Sequence, residues 1–303
     1  MAPKTRHAEA KHVKPNSNQV DPVQPIKERG RKRRRAASES DKDDHSDSED
    51  NYSSDNEETK TIQPAKTSIP RPKGSPFADA LSPGVLEFMA LLAANNDRDF
   101  MRVQQKQWLS TRSDFTDFVG MLINELHTLD PTILVEEPKD AVYRQHRDLR
   151  FTNDRRPYKS HLSASFSRGG KKSPFAGYHL SVCPGNKTHV AAGIWQPSSA
   201  RLSRIRQGII ENGGLMREAL DMEAVKNVFG KCGLDVLEDT DKLKTAPKGI
   251  AKDHPEIDLL RYKSLVISKS FTDVEVVSEG FLDKLLDAYE AMVPFVAVLN
   301  SWD

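Results

Sequence analysis

Large apolar residues are confined almost entirely to the chain after residue 76, and this distribution is the strongest constraint on the fold. Residues 77–303 carry nearly all the Leu, Ile, Phe and Trp, whereas Pro, Ser, Asp, Glu, Lys and Arg dominate before them. A segment without apolar side chains cannot offset the conformational entropy that it loses on folding. We therefore predict a disordered low-complexity tail over residues 1–75 and a single globular domain over residues 76–303.

The predicted tail holds two oppositely charged segments, although the net charge of the chain is only +1. Residues 27–35, KERGRKRRR, contain seven basic residues, and residues 39–58 contain ten acids against one lysine. The basic cluster is typical of a nuclear-import signal, and a nonspecific nucleic-acid arm or a solvated charge run are the alternatives. The acidic tract suits either a phosphorylated regulatory arm or a solubilising segment.

The sequence contains no pattern typical of secretion or membrane insertion. The first residues lack the apolar stretch of a signal peptide, and the longest apolar run, AMVPFVAVL, is too short to span a bilayer. Cys183 and Cys232 form no C-x-x-C pair, which disfavours a disulfide scaffold and a structural zinc site. We expect an intracellular, nuclear protein with no membrane span, which an import receptor binds at 27–35. The oligomeric state stays open.

Hydrophobic periodicity predicts helices on both sides of a run of strands. Helical spacing occurs in four regions: after Ser82-Pro83, over about 98–128, from Ser198 to a stop at Asn212-Gly213, and over about 279–299 with a kink or break at Pro294. Strand patterns occur at 141–151 (with helix as the alternative), 162–167, 177–182, 189–195 and 264–271. This order predicts an α+β fold whose central, mostly antiparallel or mixed sheet is flanked by helices.

Residues 143–173 concentrate positive charge inside the predicted domain, with nine Arg or Lys and only two acids, Asp148 and Asp154. In a strand, Arg147 would lie among apolar neighbours, where an unpaired guanidinium is very unfavourable. Two interpretations follow. The arginines and aspartates form an ion network that fixes the fold, or the surplus cations converge on a phosphate or carboxylate group.

A longer motif surrounds these arginines. The segment from Arg144 to Phe151 reads R-x-x-R-D-x-R-F, and it is followed by Asp154, Arg155, Tyr158 and Lys159. With GYHLSVCPG and APKGIAKDHPEIDLLRYKS downstream, the chain resembles the uncharacterised family known as domain of unknown function 2461 over roughly 77–300, although Arg155 stands where lysine is usual. The resemblance implies that this range forms the family's domain, for which no activity is established. Fungal members are similar in that they commonly carry an extra low-complexity region.

The residues favour a nuclear module whose Arg-rich centre binds an anionic partner, either nucleic acid or a phosphorylated ligand. The candidate anion contacts are Arg144, Arg147, Arg150, Arg155, Tyr158, Lys159 and Arg204. In this interpretation Asp148 and Asp154 orient the guanidinium groups. Tyr158 is expected to be exposed, and Phe166 and Trp195 are expected in the core.

Two alternatives remain, so the sequence leaves open whether the domain is an enzyme. One is a hydrolase acting on phosphate esters or another anionic substrate, with Asp148, Asp154 and His161 as catalytic candidates or as ligands of one divalent ion. No H-x-H, H-E-x-x-H or D-x-D spacing supports a metal site, so no cofactor is evident. The other is a protein–protein adaptor whose acidic tail is regulated by phosphorylation.

Overall fold

The computed structural model describes residues 61–151 and 153–302, so the basic cluster 27–35 and the acidic tract 39–58 lie outside the described residues. Residues 61–75 belong to the predicted tail, yet they contact the first helix. The Gln63 N–H donates to Asn95 Oδ1 (2.7 Å), and Arg71 forms a two-bond pair with Glu87 (2.9 and 2.6 Å). Ordered contacts therefore begin before residue 76.

The described residues combine helices with one sheet, which confirms the predicted α+β class. The helices are α1 (Pro83–Ala94), α2 (Arg98–Val103), α3 (Gln105–Leu129), α4 (Pro138–Ala141), α5 (Ser199–Asp221), α6 (Glu223–Phe229), α7 (Ile257–Leu260), α8 (Asp273–Val276) and α9 (Phe281–Ser301). The strands are β1 (Leu162–Ser167), β2 (Gly177–Val182), β3 (Thr188–Ile194) and β4 (Leu265–Phe271). Throughout the described range, no helix has the length and apolar character needed to traverse a membrane.

The four strands form an antiparallel sheet in the order β1-β2-β3-β4. Successive side chains of a strand point to opposite faces of the sheet. One face carries buried apolar residues such as Leu180, Val190 and Ile267, and helix α9 packs against β3 with Phe295 among its buried residues. In the part of the chain that the structure describes, the opposite face is open, and its residues are small or polar except Val266.

The predicted helix stripes form the rest of the core. Ser82 caps α1, with its hydroxyl accepting from the Gly84 N–H (3.1 Å), as the Ser-Pro start predicts. In α3 the whole predicted stripe is buried: Phe115, Phe118, Val119, Leu122 and Leu126. The ring of Phe118 stacks on Phe281 of α9 at 5.6 Å between centroids, which joins the N-terminal helices to the last one.

Residues 141–151 do not form the predicted strand. Helix α4 ends at Ala141, isolated bridges occur at Val142 and His146, and a 3-10 turn covers Leu149–Phe151. The reason is local, because the Asp148 carboxylate accepts the backbone N–H of Arg150 (3.1 Å) and turns the chain.

The two predicted helix interruptions have different outcomes. Asn212 is non-helical (φ −153°, ψ 54°), so the first helix is interrupted at the predicted place, and a second helical stretch continues beyond this kink to Asp221 within α5. A Cβ on Gly213 would lie 2.8 Å from Glu256 Cδ, so this glycine serves close packing there. Helix α9 continues through Pro294 without a break.

Candidate functional site

The open face of the sheet forms the floor of a cleft of about 720 Å³, here called the sheet cleft. Two rows of paired residues cross all four strands. One row is Ser165, His179, Ala191 and Ser268, and the other is Ser167, Gly177, Gly193 and Val266. All eight residues line the cleft. Small side chains in both rows leave the space that larger ones would fill.

Segments beside the sheet raise the walls of the sheet cleft. Tyr143 stands at the β1 edge, where its N–H donates to Ser163 O (2.9 Å), and Glu238 stands at the β4 edge, where its N–H donates to Val266 O (2.8 Å). The loop between β1 and β2 and the chain from Trp195 to Arg201 complete the lining. The volume lies within the range typical of small-molecule sites.

A chain of hydrogen bonds crosses the floor next to Tyr143. The Tyr143 hydroxyl donates to Ser165 Oγ (3.1 Å), which lies 2.8 Å from His179 Nδ1. Because Ser165 Oγ accepts from Tyr143, its own proton is available for His179 Nδ1. The His179 carbonyl accepts from the Tyr289 hydroxyl (2.9 Å) and thereby fixes β2 above helix α9. The hydroxyl groups of Tyr143 and Ser165 and the ring of His179 can donate hydrogen bonds to a polar ligand or accept them from it.

His179 is held in its neutral form. Burial, and after it the charges of His189, His161 and Lys159, together lower the pKa of His179 to about 4, because each disfavours a further positive charge there. The pKa of His161 is lowered for the same reasons, with burial first and then Lys159, His189 and Arg147. His179 therefore stays uncharged near neutral pH, with Lys159 among the groups that disfavour its protonation.

Two lysines approach the ring of Tyr143. The ammonium groups of Lys159 and Lys171 each lie 5.3 Å from the ring centroid, a distance typical of cation–π contacts. The Lys171 ammonium also donates to Val142 O (2.6 Å). Burial lowers the pKa of Lys159, and Arg144, Lys171 and Arg147 lower it further. Two ammonium groups therefore lie close to the Tyr143 ring, and the carboxylate of Glu136 interacts with Lys171.

The arginines of the R-x-x-R-D-x-R-F segment are paired with the aspartates. Arg150 makes two side-chain bonds to Asp148 (3.0 and 2.8 Å), and Arg144 lies 3.7 Å from the same carboxylate. The Arg150 hydrogen bonds, with Arg144 nearby, lower the pKa of Asp148 to about 2. Asp148 is consequently ionised and engaged in orienting guanidinium groups.

Asp154 forms a second such centre. It accepts from Arg147 Nη1 (2.6 Å) and from Arg156 at Nε and Nη2 (2.9 and 2.6 Å). The hydrogen bonds from Arg156, followed by the charge of Arg147, hold the pKa of Asp154 well below its usual range. Arg147 is therefore paired with a carboxylate, although the strand from which that need was argued does not form.

The remaining candidates lie in different environments. Arg155 and Arg204 are exposed, whereas Tyr158 is only 7% exposed and packs against His146 with ring centroids 4.9 Å apart. The expectation of an exposed Tyr158 is therefore wrong. His161 is half-buried and acts electrostatically on His179. Between residues 61 and 302, Thr152 excepted, no three His, Cys, Asp or Glu side chains are grouped as metal ligands.

Sequence reasoning missed most of the cleft. Trp195 was expected in the core but is 59% exposed and lines the cleft, while Phe166 is buried as expected. Arg201 also lines it at 3% exposure, one turn before the predicted contact Arg204. Strand alternation places Ser165 and His179 on one face, but only the folded arrangement of the described residues shows that this face is open.

Comparison with known proteins gives a family without an activity. The family model described as "Conserved hypothetical protein (DUF2461)" matches residues 84–297, a range that contains all the cleft residues named above. No match is found among the curated proteins or among the solved structures.

Proposed function

Because this chain belongs to the conserved hypothetical protein family DUF2461, whose description names no activity, we propose a function from its geometry. The domain binds a small anionic ligand in the sheet cleft, where Tyr143 and Lys171 line it and Lys159 lies against the ring of Tyr143. One observation carries this proposal. Lys159 is a half-buried ammonium group whose charged neighbours are cations, so its charged form is disfavoured until an anion arrives.

The acids of the segment do not relieve this crowding. Within the described residues, no carboxylate forms an ion pair with Lys159, whereas Asp148 and Asp154 are each engaged by two arginines. An anion beside Lys159 and Lys171 would accept charge-assisted hydrogen bonds, which are stronger than neutral ones. The neutral His179 beside it can donate or accept, depending on which ring nitrogen carries the proton.

The arginine segment supports this site by holding its parts in place. The Arg147 N–H donates to Pro157 O (2.8 Å), and the Lys159 N–H donates to Gln145 O (2.9 Å), so the two arms of the segment are joined. The pairs on Asp148 and Asp154 stabilise the turn between these arms. Arg144 and Arg147 thus contribute positive potential, while Lys159 and Lys171 make the proposed contacts.

Lys159→Met and Lys171→Met should each weaken binding of pyrophosphate to the full-length protein about 10-fold, because each removes a charge-assisted contact. Isothermal titration calorimetry at fixed salt measures this loss. Lys252→Met, which removes a lysine from an exposed position outside the cleft, is the matched control and should bind as the wild type does.

A second readout separates binding from folding. Without ligand, Lys159→Met should melt at or above the wild-type temperature, because it removes a cation from a crowded, half-buried position. A lower melting temperature with unchanged pyrophosphate affinity would mean that Lys159 serves the fold and would contradict the proposal. Oligonucleotide binding that both lysine variants retain would place the anion interface outside the sheet cleft.

We also propose that the protein acts in the nucleus, which rests on the basic cluster 27–35 alone. Replacing residues 31–35 with alanine should abolish nuclear accumulation of a fusion to two fluorescent proteins, a size that prevents passive entry. Fluorescence microscopy measures the nuclear-to-cytoplasmic ratio. Deletion of the acidic tract 39–58 is the control and should leave this ratio unchanged. A wild-type ratio in the alanine variant would contradict the proposal that the cluster is an import signal.

A further inference from the structure

Trp195 presents a large aromatic surface to the sheet cleft. It follows the last residue of β3, lines the cleft and is 59% exposed. A single exposed apolar residue is ordinary on a protein surface. Its position in a concave site and the structure that holds it there distinguish Trp195 from the others.

The backbone after Trp195 is held in an uncommon conformation. Gln196 has φ +44°, in the left-handed region, and its N–H donates to Ser264 Oγ (2.9 Å). Ser264 is 1% exposed, and its hydroxyl donates to Asp241 Oδ2 (2.7 Å). Such conformations persist when surrounding contacts impose them, and they concentrate at ligand sites. The Ser264–Asp241 pair therefore fixes the turn that presents Trp195.

The lining of the cleft combines aromatic, apolar and cationic groups. Phe175, Pro174 and Pro197 line it together with Trp195, and the guanidinium groups of Arg168 and Arg201 lie 3.5 and 5.4 Å from the Phe175 ring centroid. Tyr143, Lys171 and the His179 row described above line the same cleft. Trp195 is four residues from Ala191 of that row, at most about 13 Å along a strand.

We infer that the ligand carries a planar aromatic ring joined to its anionic group, as a nucleotide does. The ring stacks on Trp195 while the phosphate reaches Lys171, which lines the same cleft. This inference rests on the proposed anion site and names the class of anion that fills the cleft. Stacking on an aromatic side chain suits any nucleobase, because every base has a π face.

The test compares three probes on the full-length protein: adenosine monophosphate, inorganic phosphate and adenosine. Adenosine monophosphate should bind about 10-fold more tightly than phosphate, because stacking adds to the anion contact. Trp195→Ala should remove that advantage without changing phosphate affinity, whereas Trp195→Phe should keep most of it. Leu109→Ala, which removes another exposed apolar side chain away from the cleft, should have no effect.

The possible results distinguish the contribution of the aromatic ring to binding from that of the anionic group. Equal affinities for adenosine monophosphate and phosphate in the wild type would overturn the stacking inference and leave the anion site standing. The same holds if Trp195→Ala weakens both probes by the same factor while its melting temperature stays at the wild-type value. If neither phosphate nor adenosine monophosphate binds, the proposed function fails first and the stacking inference falls with it.

Discussion

Replacement of Gly193 by alanine is expected to lower the free energy of unfolding by at least about 3 kcal/mol, because overpacking and backbone strain act together there. Gly193 has φ +122°, and an added Cβ would lie 2.0 Å from the Leu265 carbonyl oxygen and 2.9 Å from Phe295 Cε1. Relief requires β3 to separate from β4 or from helix α9. Since Gly193 belongs to the floor of the sheet cleft, ligand binding should be lost with the strand pairing.

Urea denaturation of the full-length protein, followed by circular dichroism, measures this loss. Gly249→Ala is the matched control, because Gly249 also has a positive φ (+85°) but an added Cβ meets nothing within 4 Å. The control substitution should lower the free energy of unfolding by only about 1 kcal/mol, which is the penalty of a left-handed conformation alone. Equal losses in the two variants would mean that the close approach to Leu265 does not limit the fold.

The fold was largely predictable because its signals are local. Apolar spacing after Ser82 and along α3 reports which helix face is buried, and alternation gives all four strands of the sheet. The family resemblance, based on the R-x-x-R-D-x-R-F segment, is confirmed by the match over 84–297. The exception is 141–151, where the Asp148 carboxylate captures a backbone N–H and turns the chain.

The candidate site was less predictable because its parts come from distant segments. Counting charges in 143–173 indicates a surplus of cations, but not which arginines share a carboxylate. In the structure Asp148 and Asp154 each bind two arginines, which leaves the crowding at Lys159. Trp195 could not be assigned, since its exposure depends on a turn that Ser264 and Asp241 hold from another part of the chain.

The arginine segment and the cleft are therefore parts of one arrangement. The ion pairs stabilise a turn whose two arms carry Tyr143 and Lys159 to the β1 edge. The two interpretations of the arginines are compatible in this geometry. Most of them pair with aspartates, and the ammonium groups of Lys159 and Lys171, each 5.3 Å from the Tyr143 ring centroid, add the positive potential that we propose an anion uses.

Stability should decrease as the pH falls from about 6.5 to about 4, and His179 should account for much of the decrease. The ordinary pKa of 6.5 falls to about 4 in the folded protein, so the unfolded chain takes up a proton in this window that the folded protein refuses. The full difference corresponds to about 3 kcal/mol. Stability is thus complete above the unfolded pKa and is lost as the pH approaches the folded one.

His179→Gln should flatten this dependence, because glutamine can still bond to Ser165 but does not titrate. Urea midpoints at pH 7, 6, 5 and 4.5 measure the slope, and His127→Gln, on helix α3, is the control for removing a histidine elsewhere. The carboxylates of Asp148 and Asp154 titrate at lower pH, so they do not enter this window. If the stability of His179→Gln depends on pH as steeply as that of the wild type, His179 is not the group responsible for the decrease.

The same histidine links pH to the proposed anion site. A bound anion supplies the negative charge that favours protonated His179, so binding should take up protons and tighten as the pH falls. Sulfate is the suitable probe, because its own charge does not change between pH 7 and 5. Its affinity should rise over this range in the wild type and stay flat in His179→Gln. A pH-independent sulfate affinity in the wild type would place the anion away from His179, outside the part of the cleft that Tyr143 and Lys171 line.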